Sequence, residues 1–173
     1  MRFSLYKPGT ADFRKKKKGG IIKDDGANKF EDAVLATPDV SAGYCKGIQA
    51  LKSNSTLLQV PDTRRLQGSV DIDENTKTLY PESSRWDYAV GYGDRAYFVE
   101  VHPACTSSVA EMINKAIWLE NWLKNKAPEL DKIRVSQLCW IPSGRVNIPK
   151  GTSQYRNLAL HKIALTKTPF EKD

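Results

Sequence analysis

The sequence has little cysteine and no long apolar segment. Its 173 residues include three cysteines, Cys45, Cys105 and Cys139, which are odd in number and far apart. This spacing excludes a disulfide framework and the usual zinc-ligand patterns, and it favours a reducing, cytoplasmic location. No apolar run approaches the roughly 20 residues that cross a bilayer, so no membrane span is predicted.

Motifs of several enzyme classes are also missing. There is no phosphate-loop lysine motif, no paired-histidine zinc helix and no serine nucleophile elbow. Gly91-Tyr92-Gly93 belongs to a predicted hairpin, not to a strand that leads into a helix. The two histidines, His102 and His161, are too few for an all-histidine metal site.

What is present is the composition of an ordinary globular domain. Hydrophobic residues make up 40% of the chain and charged residues 27%. A chain of 173 residues can bury a core without disulfides or metals. We therefore predict a basic N-terminal arm over residues 1–27, followed by a single domain over residues 28–173.

The net charge of +7 is concentrated in the arm. Residues 1–20 hold seven bases and one acid, a net +6, whereas the other 153 residues hold 20 bases and 19 acids, a net +1. The densest run is Arg14, Lys15, Lys16, Lys17 and Lys18. Such a run can neutralise nucleic-acid phosphates. It is equally compatible with an anionic membrane surface, a targeting address or a solvated tail.

Apolar periodicity, β-branched and aromatic runs, and breaking residues predict the elements of the domain. In chain order they are a helix over 28–37, a helix over 40–52, strands over 57–60, 69–72, 86–92 and 95–102, a long helix over 109–126, a strand over 133–141, a short helix from Gln154 and a strand over 163–165. Gly93-Asp94 predicts a tight hairpin turn. A hairpin followed by a strand–helix–strand crossover predicts an α/β or α+β fold with a mixed central sheet flanked by helices.

The hairpin carries the residues whose side-chain chemistry points most clearly to a functional site. Glu100 and His102 lie on the same side of one strand, because side chains alternate across a strand. Asp87 lies near the end of the neighbouring strand, at a level close to Glu100. A carboxylate among Phe98, Val99 and Val101 is costly unless it is paired or binds a metal. Two converging carboxylates can hold Mg²⁺ or Mn²⁺ with open water positions.

Asp87 followed on the next strand by Glu100-Val101-His102 resembles the signature of the PD-(D/E)XK nuclease superfamily. The predicted elements from about residue 28 to residue 141 are also similar to the restriction-endonuclease-like αβββαβ core of that superfamily. The resemblance implies Mg- or Mn-dependent hydrolysis of nucleic acid, DNA rather than RNA, with Asp87 and Glu100 as metal ligands. Val101-His102-Pro103-Ala104 and the helix after it also resemble a group of uncharacterised bacterial proteins, a likeness that implies no activity.

The chain departs from the superfamily pattern at one position. Where the superfamily usually has a lysine that orients the attacking water, this chain has His102. An imidazole could serve there as a base or a ligand. Lys115 on the following helix is the candidate for a relocated lysine, and Glu31 or Asp32 on the first helix is the candidate for an additional acid.

Each of these residues also has a purely structural interpretation. Asp87 could pin the hairpin, Glu100 could pair with a lysine without metal, and His102 could end a strand. Lys115 could pair with Glu111 at i,i+4, and Glu111 could form a capping box with Ser108. Trp118 and Trp122, one turn apart, suit packing, a homodimer or a protein partner. Cys105 precedes a helix, where a thiol pKa can fall, but the sequence offers it no base.

Three functions therefore compete at this point. The first is a metal-dependent nuclease that uses Asp87, Glu100, His102 and Lys115, with Arg14–Lys18 gripping phosphates. The second is a catalytically inactive nuclease-like module that binds nucleic acid or a protein, favoured by the absence of lysine at position 102. The third is an interaction protein whose tryptophan helix docks on a partner.

Overall fold

The computed structural model describes residues 26–171. Five α-helices lie in this range: α1 (Lys29–Leu35), α2 (Ile72–Thr76), α3 (Val109–Lys126), α4 (Pro128–Ile133) and α5 (Ser153–Leu160). Six strands lie in it: β1 (Tyr44–Cys45), β2 (Leu66–Asp71), β3 (Tyr88–Tyr92), β4 (Arg95–His102), β5 (Leu138–Pro142) and β6 (Ile163–Leu165). Short 3₁₀ helices occur at Ser41–Gly43, Gln49–Leu57, Thr63–Arg65 and Thr106–Ser108.

The strands form one mixed sheet in the order β1-β2-β3-β4-β5-β6. Neighbours from β1 to β4 are antiparallel, whereas β4, β5 and β6 run parallel to one another. The parallel pair β4–β5 requires a crossover, which α3 and α4 supply. The predicted mixed sheet with flanking helices is therefore confirmed.

The two faces of the sheet are covered differently. The α-helices α1, α3, α4 and α5 bury their apolar side chains on one face, against residues such as Phe98 and Trp140. The other face is covered by the 3₁₀ segment Gln49–Leu57, through Leu51, and by the C-terminal Phe170. Alternation of side chains along β4 sends even-numbered residues to the helical face, so Glu100 points towards the helices.

Three local predictions are confirmed, and each depends on a signal in the local sequence. The β3–β4 hairpin closes at Gly93 and Asp94, whose φ angles of 54° and 62° suit the two-residue turn predicted there. The long helix spans Val109–Lys126 and ends before Pro128. The short helix α5 begins after Thr152, whose hydroxyl accepts a hydrogen bond from Tyr155 N at 3.2 Å.

Two predictions before the hairpin are wrong. Residues 40–52 do not form one α-helix, because Tyr44–Cys45 pairs with β2 and Lys52 adopts φ 51° between two 3₁₀ turns. Residues 57–60 do not form a strand, because the 3₁₀ segment runs to Leu57 and the chain then leaves it without sheet pairing. Leu51 and Leu58 are buried on the face of the sheet opposite the α-helices, whereas Val40 is buried on the helical face, so the apolar pattern reflects burial and not helical or strand periodicity.

Two predictions after the hairpin need correction. The strand predicted over 133–141 begins at Leu138, because Pro128 starts a separate helix that runs to Ile133. The capping box of α3 is absent, because the Ser108 side chain makes no capping hydrogen bond. Residues 1–25 of the predicted arm, including Arg14–Lys18, lie outside the described residues. Within residues 26–171, no helix is both long enough and apolar enough to cross a membrane.

Candidate functional site

The hairpin brings Asp87 and Glu100 together at one end of the sheet. Tyr88 pairs with Val99, which puts the preceding Asp87 opposite Glu100. Asp87 N donates a hydrogen bond to Glu100 Oε2 at 3.0 Å, and Val101 N donates one to Asp87 Oδ2 at 3.1 Å. The two carboxylates therefore lie at the position next to the last residue pair of β3 and β4, and each accepts a hydrogen bond from a backbone amide.

The crossover helix α3 adds Lys115 to this pair. Burial of Met112, Ala116 and Leu119 sets the rotation of the helix on the sheet. Lys115 borders that buried face, and its Nζ lies 3.2 Å from Asp87 Oδ1 and in direct contact with Glu100 Oε1. The structure thus joins three of the four predicted catalytic residues, although they are separated by up to 28 positions in the sequence.

The site is largely withdrawn from solvent. The Glu100 side chain is fully buried, and the exposed fractions of Lys115 and Asp87 are 13% and 19%. Burial raises the pKa of the Glu100 carboxyl well above its ordinary value, and the charge of Asp87 adds to this, whereas Lys115 opposes it. Burial lowers the pKa of Lys115, but attraction to Glu100 and Asp87 outweighs it, so the pKa is raised. Lys115 is therefore an ammonium at neutral pH.

His102 lies two residues beyond Glu100 and outside this triad. Its Nε2 is 3.7 Å from Glu111 Oε2 on α3, and its Nδ1 lies 3.1 Å from the carbonyl oxygen of Pro103. The structural alternatives for α3 are therefore wrong in detail: Glu111 faces His102 and does not cap the helix, and Lys115 pairs with the sheet carboxylates and not with Glu111.

The first helix does not contribute the expected acid. Glu31 accepts a hydrogen bond from Asn28 at 3.2 Å, and Asp32 lines a separate cavity together with Glu129. Neither side chain forms a metal-ligating group with Asp87. Among the described residues, no group of three or more His, Cys, Asp or Glu side chains could hold a metal ion.

Sequence reasoning missed two acids at the same end of the sheet. Asp71 ends β2, and the backbone amides of Ile72 and Asp73 donate to the carbonyl oxygen of Asp87 at 2.8 and 3.3 Å. Burial raises the pKa of Asp71, and the charges of Asp73 and Asp87 act in the same direction. The available signal is the run Asp71-Ile72-Asp73-Glu74, in which two acids lie at and just beyond the end of the strand predicted over 69–72.

The donor set of the triad fits a divalent cation of the magnesium type. Asp87 Oδ1 and Glu100 Oε1 converge on one atom, Lys115 Nζ, which is a positive charge at the place where a cation would be held. Mg²⁺ is commonly bound through one or two carboxylates, with waters and substrate phosphates as its remaining ligands. Two carboxylates therefore suffice, provided that Lys115 moves aside when the cation enters.

The tryptophans of α3 serve packing. The Trp122 indole is buried and donates to Asp39 Oδ2 at 2.9 Å, and Trp118 stacks on it with ring centroids 5.8 Å apart. Tyr80 also donates to Asp39 Oδ2, at 2.7 Å. Trp122 is thus part of the core, and a partner or second copy docking on this helix stays a prediction for the half-buried Trp118.

Cys105 has polar neighbours but no adjacent base. Its Sγ lies 3.2 Å from Ser107 Oγ and 3.0 Å from Ser108 Oγ, and these hydrogen bonds lower the thiol pKa. His102 is engaged elsewhere, with Glu111 and Pro103. The geometry therefore does not support a cysteine nucleophile activated by that histidine.

Comparison with known proteins leaves the site to be judged on its own geometry. No family model, curated protein or solved structure gives a significant match to this chain.

Proposed function

We propose that the protein is a metal-dependent phosphodiesterase that hydrolyses nucleic acid, with DNA favoured over RNA. The observation that carries the proposal is the convergence of Asp87 Oδ1 and Glu100 Oε1 on Lys115 Nζ. The order α1, β2, β3, β4, α3, β5 supports it, since this is the αβββαβ sequence of elements that the superfamily resemblance implies when the short elements β1, α2 and α4 are set aside.

In this proposal Asp87 and Glu100 hold Mg²⁺ or Mn²⁺. Such a cation lowers the pKa of a bound water and neutralises charge that develops on a phosphate. In the overall reaction, the water oxygen bonds to phosphorus while one ester P–O bond breaks. The water loses a proton, and the departing oxygen gains one.

Lys115 and His102 take different roles. Because Lys115 is an ammonium, it donates hydrogen bonds and orients the water or a phosphate oxygen, and it does not accept the proton. His102 is half-buried at the end of the same strand, with its Nε2 3.7 Å from Glu111 Oε2. We assign His102 the role of proton acceptor, with Glu111 holding its ring.

Asp87→Asn tests the metal site. The substitution keeps an oxygen that can accept from Val101 N but removes the negative charge, so the fold is retained and cation affinity is lost. We expect Mn²⁺ to bind the wild type in titration calorimetry and not the variant. Mn²⁺-dependent cleavage of a mixed single- and double-stranded DNA substrate should fall at least about 100-fold, because catalytic metal ligands are rarely replaceable.

Asp94→Asn is the matched control. Asp94 lies at the opposite end of the same hairpin, where it pairs with Lys29 at 3.0 Å, and asparagine tolerates its positive φ. This variant should bind Mn²⁺ and cleave as the wild type does. Cleavage that survives in a folded Asp87→Asn protein would reject the proposed mechanism.

A second candidate is a nuclease-like module without catalysis. The observation that favours it is that all four carboxylate oxygens of Asp87 and Glu100 already have protein donors. In that case Lys115 is a permanent counter-charge. The same titration separates the two candidates, because the inactive module binds no Mn²⁺ with or without DNA present.

A further inference from the structure

We infer that the loop formed by residues 143–150 is one wall of a nucleic-acid groove beside the triad, and that Arg145 and Lys150 contact substrate phosphates. This inference rests on the proposed function and deepens it, since it assigns the surface along which the substrate lies. The geometry points to it through three observations: the position of the loop, its anchoring and its charge.

The first observation is position. In the parallel register, Glu100 pairs with Trp140 and His102 with Pro142, so β5 ends beside the candidate site. Ser143 N, the first amide of the loop, donates to the carbonyl oxygen of His102 at 3.2 Å. Neighbouring strands are about 4.8 Å apart, so the loop leaves the sheet one strand away from the triad.

The second observation is anchoring. Asn147 N donates to the carbonyl oxygen of Ala104 at 2.7 Å, and the Thr106 hydroxyl donates to the carbonyl oxygen of Asn147 at 3.2 Å. Ile148 is 5% exposed and belongs to the main core. The loop is thus fixed at its start and around Asn147 against the end of β4 and the segment that joins β4 to α3, which suits a positioning surface better than a solvated tail.

The third observation is charge. Residues 143–152 contain two bases and no acid. Arg145 and Lys150 are both exposed, and among residues 26–171 neither has an ion-pair partner. Most other bases near the site are neutralised: Lys115 by Asp87 and Glu100, and Lys52 by Asp71 at 3.6 Å.

A substrate phosphodiester backbone fits this arrangement. The triad alone presents two carboxylates, which repel a polyanion at a distance. Unpaired cations on the adjacent wall offset that repulsion and hold the backbone where a phosphate can approach the carboxylates. Phosphate contacts of this kind position a strand without selecting its sequence.

The experiment measures binding of the full chain to a fluorescein-labelled DNA that carries a 20-base-pair duplex and a single-stranded overhang. Fluorescence anisotropy in EDTA, over a salt series, gives the slope of log K against log salt without cleavage. Loss of two phosphate contacts in Arg145→Ala/Lys150→Ala should make the slope shallower by about 1.8 and weaken binding about tenfold or more at 0.1 M salt.

Lys124→Ala/Lys126→Ala is the control with the same change in charge. These lysines lie at the C-terminal end of α3, about 14 to 17 Å along the helix axis from Lys115 at 1.5 Å per residue. The control should keep the wild-type slope. Equal effects of both pairs, an unchanged slope in the loop variant or no binding by the wild type would overturn the inference. An equal loss of affinity for a poly-glutamate peptide would do so too, since it would show a general anion surface.

Cleavage assays with Mn²⁺ separate this inference from the proposed function. If the wild type cleaves and the loop variant has the same kcat/KM, the groove inference fails and the function stands. If the wild type does not cleave but the loop variant alone loses salt-dependent binding, the groove stands and the catalytic proposal fails.

Discussion

Glu100 is the residue whose environment is most costly for its charge. Its side chain is fully buried, and its compensation is one ammonium, Lys115, and one backbone amide, from Asp87. Buried ion pairs of this kind contribute little net stability, because desolvation offsets the attraction between the charges. Carboxylates held in this way, with a raised pKa, cluster at functional sites. The environment of Glu100 therefore marks it as a candidate functional residue.

Replacement of Lys115 by methionine should reveal the free-energy cost of burying the charge of Glu100. Lys115→Met keeps the aliphatic stem but leaves Glu100 and Asp87 without their counter-charge, so we expect a loss of about 3 kcal/mol in the free energy of unfolding at pH 7.5. The measurement is urea denaturation followed by circular dichroism. Lys124→Met, an exposed lysine on the same helix, should change stability by less than about 0.5 kcal/mol.

The same variant should show a defined pH dependence. The pKa of Glu100 in the folded state lies above its unfolded value, so the folded state binds the extra proton in the interval between them. Stability of Lys115→Met should therefore fall as pH rises from the ordinary glutamate value towards the raised one. The destabilisation relative to wild type should be smaller at pH 5 than at pH 7.5. An effect of equal size at both values would contradict a charged Glu100 as the cause.

At the scale of single residues, the sequence identified Asp87 and Glu100 because both follow from strand alternation across one tight turn. It did not identify the partner of either His102 or Lys115. Lys115 borders the apolar face of α3, but only packing decides which edge of that face meets the sheet. The first-helix acid was assigned by resemblance and was wrong, since α1 directs Glu31 towards Asn28.

At the scale of elements, the close packing of α1 on the sheet depends on a glycine, Gly91, which has no side chain. Gly91 in the middle of β3 leaves room for Phe30, and a Cβ at position 91 would overlap the ring of Phe30. This contact fixes α1 on the same face of the hairpin that carries Asp87 and Glu100. The glycine therefore matters for close approach, not for an unusual backbone angle.

Gly91→Ala should destabilise the fold by about 1–3 kcal/mol, because the added methyl forces Phe30 or the whole of α1 to shift. The measurement is thermal and urea unfolding of the purified variant. Gly144→Ala is the matched control, since nothing lies within 4 Å of a Cβ built there. Unchanged stability in Gly91→Ala would mean that α1 can move away from β3 without loss.

At the scale of the whole molecule, the net charge is concentrated at one end of the chain. The first 20 residues carry +6 of the +7 net charge, and the sequence predicts that they belong to an arm outside the single domain. Loss of these residues should therefore weaken affinity for a polyanion without changing the stability of the domain.

Removal of residues 1–20 tests this expectation. The melting temperature should stay that of the full chain, because the sequence predicts that residues 1–27 form an arm outside the single domain. The salt slope for DNA binding should become shallower by roughly 4.5, which is the counterion release expected from five phosphate contacts by Arg14–Lys18. Replacement of those five bases by glutamine in the full chain should reproduce the loss. A slope unchanged in both proteins would show that the arm does not contact DNA.

The sequence by itself determined the features that depend on neighbours along the chain. These are the β3–β4 hairpin, the long α3 helix and the alternation that puts Asp87 and Glu100 on one face. Turn chemistry, strand alternation and helical periodicity are local properties, so they can be read without coordinates.

Only the tertiary structure decided what depends on segments that are distant in sequence. The contact of Lys115 with Asp87 spans 28 positions, and the hydrogen bond from Ser143 to His102 joins two strands across a crossover. The path of residues 40–60 is likewise fixed by burial against both faces of the sheet and not by local preference. Packing of side chains chooses the rotation and depth of each element, and that choice turned separate acidic and basic residues into one candidate site.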